Sequence, residues 1–449
     1  MPHSVAAHLR RLVALALPVT AAQLGSMMLL VVDLLMLGRV GVEALDAASL
    51  GRVWVMGTIV FGMGLAFGID PVATQAFGAG DDERLVGALG NGLVLALFAS
   101  LPIALLWSGT GPVLGLLGQS PELSHQAHVY VITQIPGLPF FLLFTVLKQH
   151  LQAQGIVQPA MWVTFAANGF NAVANWVLIF GHWGAPALGV AGAGIATSLT
   201  HVVLVLGLVG WMHRQGLPRR SWREVWRRGL ERRGIAELAR FGSPVALQIG
   251  LEMWAFQIAT LWAGRLGEIP LAAHTVALTL ASVTFMVPLG VSLAAVVRVG
   301  NLMGAREHRD AQRAAWVAVG LGAVVMAGSA LLFVLGRNLL PRAFTPDPEV
   351  IAAAAVILPI AAAFQVFDGT QVVGAGVLRG MGQTRPAAAF NVVGYYALAL
   401  PLAWWLAFPR GMGLTGIWWG LALGLATVAL LLVAYIARFG PGRRGIMAR

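Results

Sequence analysis

Long apolar runs separated by short polar stretches make up most of the chain. A membrane-spanning helix needs about 20 mostly apolar residues, and twelve runs reach that length. They cover residues 12–38, 50–77, 87–109, 126–147, 160–181, 188–212, 236–264, 272–300, 314–336, 350–378, 387–408 and 412–437. Because each run is continuously apolar, helices are favoured over the alternating strands of a barrel, which are about 10 residues long. We therefore predict an all-α integral membrane protein with twelve transmembrane helices.

The most polar stretch of the chain, residues 213–234, separates the sixth run from the seventh. It reads HRQGLPRRSWREVWRRGLERRG and carries eight arginines against two glutamates. We predict a solvated basic loop, whose arginines suit contact with anionic lipid headgroups. The predicted domains are an N-terminal six-helix bundle over 1–213, a basic cytoplasmic linker over 214–234 and a C-terminal six-helix bundle over 235–449.

The two halves repeat each other at an offset of about 226 residues. The aligned identities include Pro18 with Pro244, Gly38-Arg39 with Gly264-Arg265, Gly64 with Gly290, and Gly78-Ala79 with Gly304-Ala305. Each half holds six spans, an even number, so both halves enter the membrane in the same direction. The bundles should therefore be related by a pseudo-two-fold axis along the membrane normal, with a site between them near the midplane.

The distribution of basic residues predicts the orientation. With both termini in the cytoplasm, only six of the 29 basic residues fall outside: Arg39, Arg52, Arg265, Arg337, Arg342 and Arg410. The other 23 fall inside, as the positive-inside rule requires. The high sequence pI of about 11.4 is therefore explained by arginines in the cytoplasmic loops, which set the membrane orientation. No nucleic-acid partner is expected. The absence of cysteine excludes disulfides and cysteine-based metal sites.

Four acidic residues lie within the apolar runs: Asp33, Asp70, Glu252 and Asp368. Burying a carboxylate in the bilayer costs roughly 2.5–3.5 kcal/mol on insertion scales, so each is a functional hypothesis. Glu252 is near the middle of the seventh run, one turn after Gln248 and far from any arginine of that run. A desolvated carboxyl without a partner favours its neutral form, and it can therefore take up a proton or another cation.

Asp368 has glutamines three residues away on both sides, Gln365 and Gln371. This spacing projects the three side chains roughly to one side of a helix. We predict that they line the same polar site as Glu252 and Gln248. The alternative for both acids is a structural carboxyl that is hydrogen-bonded across helices.

Asp33 has possible polar partners in its own half of the chain. Asn171 and Asn175, one turn apart in the fifth run, and Thr197 in the sixth run carry the oxygen atoms of a proton or sodium site. The alternative is that these groups only join helices through hydrogen bonds. For Asp70, which precedes Pro71, we favour a structural role in capping or kinking the second helix.

Several stretches of the chain carry a family pattern. They are Pro18, Gln23, Asp33 and Gly38 in the first run, QAFGAG at 75–80, PLG at 288–290 with RVG at 298–300 and Gly304-Ala305, and QVVGAGVLRGMGQT at 371–384. Over about residues 10–438 the chain resembles the multidrug and toxic compound extrusion (MATE) family, in particular its NorM-like branch. The resemblance implies export of cationic or aromatic compounds in exchange for H⁺ or Na⁺, without a cofactor. It places the coupling acids at Asp33, Glu252 and Asp368, with Na⁺ at the last two if that is the coupling ion.

Other functions remain as alternatives. A lipid-linked oligosaccharide flippase or a dedicated metabolite exporter of the same superfamily would share the fold. The basic lining that a flippase needs for pyrophosphate is replaced here by acids. A membrane enzyme is disfavoured because no Walker A, HExxH or GxSxG motif occurs. The resemblance further implies a monomer in the bacterial cytoplasmic membrane.

Overall fold

The structure, a computed structural model, describes residues 4–218 and 220–443 of the 449-residue chain. Throughout this part the backbone is helical or in turns, and no strand occurs among the described residues. The α-helices are α1 Val5–Gly38, α2 Val42–Ala66, α3 Ile69–Ala79, α4 Asp82–Ser108, α5 Thr110–Leu116, α6 Pro121–Ile132, α7 Leu138–Ala153, α8 Gln158–Phe180, α9 Val190–Arg214, α10 Trp222–Gly229, α11 Arg232–Arg265, α12 Glu268–Gly304, α13 His308–Leu335, α14 Pro348–Gly380, α15 Thr384–Asn391, α16 Leu400–Ala407 and α17 Gly413–Phe439.

Eleven stretches of the described chain are long and apolar enough to cross a membrane. The twelfth predicted span is the 34-residue helix α11, which has ample length. Its middle carries Gln248, Glu252 and Gln257, so its composition is less apolar than that of the other spans. The prediction of an all-α membrane protein with twelve long spans is confirmed.

Three spans are interrupted along their length. The second span breaks between α2 and α3 at Phe67–Gly68, where a side chain at Gly68 would come within 2.2 Å of the Leu238 carbonyl oxygen. In the fourth span, a short 3₁₀ turn at Ile135–Gly137 separates α6 from α7 and contains a proline. The eleventh span contains a π-helical segment, Val392–Ala399, between α15 and α16. π-Helical turns inside α-helices occur often at functional sites.

The basic stretch between the halves is not a simple loop, and that part of the prediction is wrong. Residues 222–229 form helix α10, which is capped by Ser221, whose hydroxyl accepts a hydrogen bond from the Glu224 amide at 3.3 Å. Val225 is fully buried against α4. The Asn91 side-chain amide lies 3.0 Å from the carbonyl oxygens of both Arg228 and Gly229. A buried valine and the arginines on the remaining faces make α10 amphipathic.

The chain divides into two compact units, which we call the N-half unit and the C-half unit. The N-half unit contains Ala21–Ala76 and Asp81–Ala246, and the C-half unit contains the described residues of Met1–Thr20, Phe77–Gly80 and Leu247–Arg449. The division points in α1 and α11 follow Pro18 and Pro244 and lie 226 residues apart, the offset of the internal repeat. Leu12 of α1 accordingly belongs to a hydrophobic core of the C-half unit. The division into bundles at 213 and 235 stays a prediction.

Candidate functional site

In the C-half unit, polar side chains from three helices meet at Glu252 of α11. Its Oε2 atom accepts hydrogen bonds from the Gln371 amide of α14 at 3.2 Å and from the Asn391 amide of α15 at 3.4 Å. The Asn391 amide also lies 3.4 Å from the Gln248 carbonyl oxygen. Gln371 and Asn391 are almost fully buried. The carboxyl is therefore oriented by two amides that have little contact with solvent.

A second carboxyl, Asp368, lies one turn before Gln371 on α14 and is also buried. No residue in the described ranges donates a hydrogen bond to it, and its charge interacts with that of Glu252. The buried Tyr395 hydroxyl, in the π-helical segment, interacts electrostatically with both carboxyls. Two acids, the buried Asp368 and the half-buried Glu252, thus share one polar region, and no basic side chain of the described residues acts on either of them.

Two buried amide oxygens of the residues that bond to Glu252 have no hydrogen-bond partner among the described residues. They are Gln371 Oε1 and Asn391 Oδ1. Leaving such an acceptor unpaired costs roughly 1–3 kcal/mol. Carboxylate and amide oxygens are the ligands that hard cations prefer. The oxygen-rich region around Glu252 and Asp368 therefore has the chemistry of a site for a proton or a hard monovalent cation.

The predicted residues of this half do not all contact the acids. The Gln365 amide donates to the Thr284 hydroxyl at 2.6 Å, and Gln248 contributes its backbone carbonyl to Asn391. Sequence reasoning missed Asn391 and Tyr395. An asparagine inside the apolar eleventh run was a usable signal, since a polar side chain is costly there. The importance of Tyr395 could not be inferred, because the π-helical segment changes the face on which that side chain lies.

In the N-half unit, Asp33 of α1 is buried and both its carboxyl oxygens accept hydrogen bonds. The Asn175 amide of α8 donates to Oδ1, and the Thr197 hydroxyl of α9 lies 3.1 Å from Oδ2. Asn175 also donates to Asn171 Oδ1 at 3.0 Å, and Asn171 donates to the Thr200 hydroxyl at 3.2 Å. The structure brings together the four polar residues that we named for this half.

A basic residue that we had assigned only to topology belongs to the same region. Arg52 of α2 interacts electrostatically with Asp33 and hydrogen-bonds with the Tyr130 hydroxyl of α6. Arg52 is half-buried, and Tyr130 is buried. The available signal was that Arg52 falls inside the second apolar run and not in a loop.

The remaining intramembrane acid, Asp70, lies in the first turn of α3, directly after the break in the second span. Its Oδ1 atom accepts a hydrogen bond from the Gln149 amide of α7 at 2.8 Å. The Thr74 hydroxyl donates to the Asp70 carbonyl oxygen at 2.6 Å. Lys148, the neighbour of Gln149, lies 3.4 Å from the Gln23 amide oxygen. This carboxyl is part of a polar connection between helices at the point where the second span bends.

Long apolar helices with buried carboxyls inside them are the features of an ion-coupled membrane transporter. The family profile described as MatE matches residues 18–177 and 244–405. The two matches begin 226 residues apart, which reproduces the internal repeat. The chain belongs to the MATE family.

Relatives along nearly the whole chain are NorM proteins. A "probable multidrug resistance protein NorM" from Mesorhizobium japonicum is 37% identical, over 95% of this chain and 92% of the relative. Another from Bradyrhizobium diazoefficiens is 36% identical, over 93% of this chain and 91% of the relative. Among solved structures, the eukaryotic MATE transporter AtDTX14 is similar with a TM-score of 0.89 and 26% identity, and the match covers 99% of both chains. The family and its NorM-like branch, predicted from sequence, are confirmed.

Proposed function

We propose that this protein is a secondary active multidrug exporter that moves cationic or aromatic compounds out of the cell in exchange for H⁺ or Na⁺. The observation that carries this proposal is the pair Glu252 and Asp368. Two acids without a basic partner, one buried and one half-buried, lie next to buried amide oxygens without hydrogen bonds, and an external cation would complete this site. The names of the NorM relatives support drugs as the exported class.

The site can couple the two fluxes through charge. A cation that enters from outside neutralises the acid pair and stabilises the state that releases drug outward. When the cation leaves to the cytoplasm, the restored negative charge attracts the next cationic compound. Coupling requires only that the cation and the drug prefer different conformations of the protein. Asp33, with Asn171, Asn175 and Thr197, is the second carboxyl site that could take part.

The remaining features of the proposal follow from composition and topology. A P-loop needs a lysine followed by serine or threonine, and the chain's only lysine, Lys148, is followed by Gln149. Transport driven by ATP hydrolysis at a P-loop is therefore not proposed. Neither a cofactor nor an enzymatic activity is proposed. We place the protein as a monomer in the bacterial cytoplasmic membrane, with both termini cytoplasmic. The exposed Arg223 and Arg227 of α10 would there contact anionic lipid headgroups.

The test is ethidium accumulation in a drug-sensitive bacterium that lacks its main efflux pumps. We expect the wild type to lower dye accumulation, and Glu252→Gln and Asp368→Asn to lose this effect although both variants insert into the membrane. Glu349→Gln, at the start of the same helix as Asp368, is the matched control and should export normally. Varying sodium and pH separately then identifies the coupling cation.

Two outcomes would contradict the proposal. If the wild type does not lower the accumulation of any tested dye, a dedicated metabolite exporter or a lipid-linked oligosaccharide flippase would be favoured. Normal export by both acid variants would mean that Glu252 and Asp368 do not bind the coupling cation.

A further inference from the structure

The only lysine of the chain, Lys148, lies inside a membrane span of the N-half unit. It is in α7, five residues before the helix ends at Ala153, a distance of about 7.5 Å along the helix axis. Its ammonium lies 3.4 Å from the amide oxygen of Gln23, which is near the middle of the 34-residue helix α1. The positive charge is therefore held at the depth of the spans.

The ammonium has few partners for a charge at this depth. It carries three N–H donors and accepts no hydrogen bond. The Gln23 oxygen is one acceptor, at 3.4 Å, which is longer than the usual distance of about 2.9 Å. The Phe144 ring, whose centroid lies 5.8 Å away, adds a cation–π contact. No carboxylate of the described residues forms an ion pair with Lys148.

Asp70 of α3 balances this charge without contacting it. The acid interacts electrostatically with Lys148, but its Oδ1 atom accepts a hydrogen bond from the neighbouring Gln149 amide at 2.8 Å. The charge of Asp70 lowers the cost of placing a lysine in a span, as a nearby opposite charge does. Because the two groups form no ion pair, the N–H donors of Lys148 remain available to a ligand.

The surroundings of Lys148 indicate which ligand would use these donors. The side chain is half-buried, so part of it faces open space. Charged side chains within spans face the bundle interior or a water-filled cavity and mark substrate or ion pathways. An ammonium repels the coupling cation, whereas a carboxylate accepts strong, charge-assisted hydrogen bonds from it. The lysine is not part of the framework that the two halves share, since its counterpart at the repeat offset of 226 is Gly374.

We infer that the Lys148 ammonium binds the carboxylate of exported compounds, so that zwitterionic aromatic compounds are substrates as well as purely cationic ones. This inference rests on the proposed function, because it names a further substrate class of the same exporter. Lys148 is a specificity-determining residue in this account. Its charge favours compounds that carry a carboxylate and takes no part in binding the coupling cation.

Two dyes that differ at one carboxyl group test this role. Tetramethylrhodamine carries a benzoate carboxylate beside its cationic ring system, and its methyl ester is a cation without a carboxylate. Fluorescence polarisation would measure the affinity of each dye for the purified protein. We expect Lys148→Gln to weaken binding of the carboxylate dye about tenfold, because a charge-assisted hydrogen bond is lost, and to leave binding of the ester unchanged. Lys148→Arg keeps the positive charge and should restore most of the lost affinity.

The ester also reports whether each variant is folded. The matched control is Arg84→Gln, which removes an exposed positive charge from the same unit and should leave the ratio of the two affinities at its wild-type value. Equal losses of both dyes in Lys148→Gln would make Lys148 a structural residue and overturn the inference. Unchanged binding of both dyes in that variant would show that Lys148 does not contact the carboxylate.

The wild type separates this inference from the proposed function. If it binds the ester but not the carboxylate dye, the inference is wrong and the proposed export of cationic compounds stands. If it binds neither dye, the result counts against the proposed function and against the inference that depends on it.

Discussion

The two acid sites of this protein differ in how their carboxyls are hydrogen-bonded. Asp33 accepts a hydrogen bond on each oxygen. Glu252 accepts both of its amide donors on one oxygen, and Asp368 accepts no hydrogen bond from any residue of the described ranges. The comparison teaches that acids inside one membrane protein can receive very different numbers of hydrogen-bond donors. The acids with fewer donors leave oxygen atoms that a cation can coordinate.

Removing both charges from the C-half site gives the largest expected effect. The double variant Glu252→Gln and Asp368→Asn should reduce ion-driven efflux to background, because no carboxylate remains to bind the cation. The variant Asp33→Asn, which leaves both C-half acids in place, should lose less efflux. Dye efflux from energised cells, normalised to the amount of inserted protein, measures both variants. Equal losses in the two would erase the distinction between the sites.

An intermediate effect is expected from the amides that hold Glu252. Asn391→Leu removes a donor to Glu252 and an unpartnered amide oxygen while keeping a similar volume. We expect efflux to fall about tenfold, with a higher cation concentration needed for half-maximal transport, because a hydrogen bond to a charged group contributes about 1.5–3 kcal/mol. Gln365→Leu is the matched comparison, since the Gln365 amide bonds to Thr284 and not to an acid. A cation dependence that is unchanged in Asn391→Leu would remove this residue from the site.

The smallest effect on transport is expected at Asn175. Asn175→Ala removes hydrogen bonds to Asp33 and Asn171, so it should lower the melting temperature by a few degrees. Because Thr197 still donates to Asp33 and both C-half acids are unchanged, the dependence of transport on Na⁺ and pH should not change. A shift of the ion dependence by about tenfold in Asn175→Ala would indicate that the N-half site binds the coupling cation after all.

Much of this fold was predictable, because a bilayer demands long apolar helices and the sequence shows them directly. All twelve spans and the 226-residue repeat, which recurs in the family matches, could be found from hydrophobicity and spacing. Helix α10 was missed, since eight arginines in a short stretch suggest a solvated loop and hide the buried Val225, which packs against α4. The division points inside α1 and α11 were also beyond prediction, because a continuous helix carries no local signal of which neighbours its two ends contact.

The acids of the candidate sites were identified from their cost of burial, but their partners were only partly predictable. Asn171, Asn175 and Thr197 stand out as polar residues in apolar runs, as Asn391 also does. Arg52 was overlooked because we had already assigned it to the outer side of the membrane when we applied the positive-inside rule. Which residues on different helices contact each other depends on helix rotation and packing, and these are not encoded in any one segment.

The central claim is that Glu252 and Asp368 bind the coupling cation, and counting the cations released on drug binding tests it most directly. Ethidium would be added to purified protein in weakly buffered detergent solution, with released protons read by a pH indicator and released ²²Na⁺ by filtration. We predict equal release from the wild type and from the control variant Glu349→Gln, and none from Glu252→Gln. Release that persists unchanged in Glu252→Gln would contradict the account.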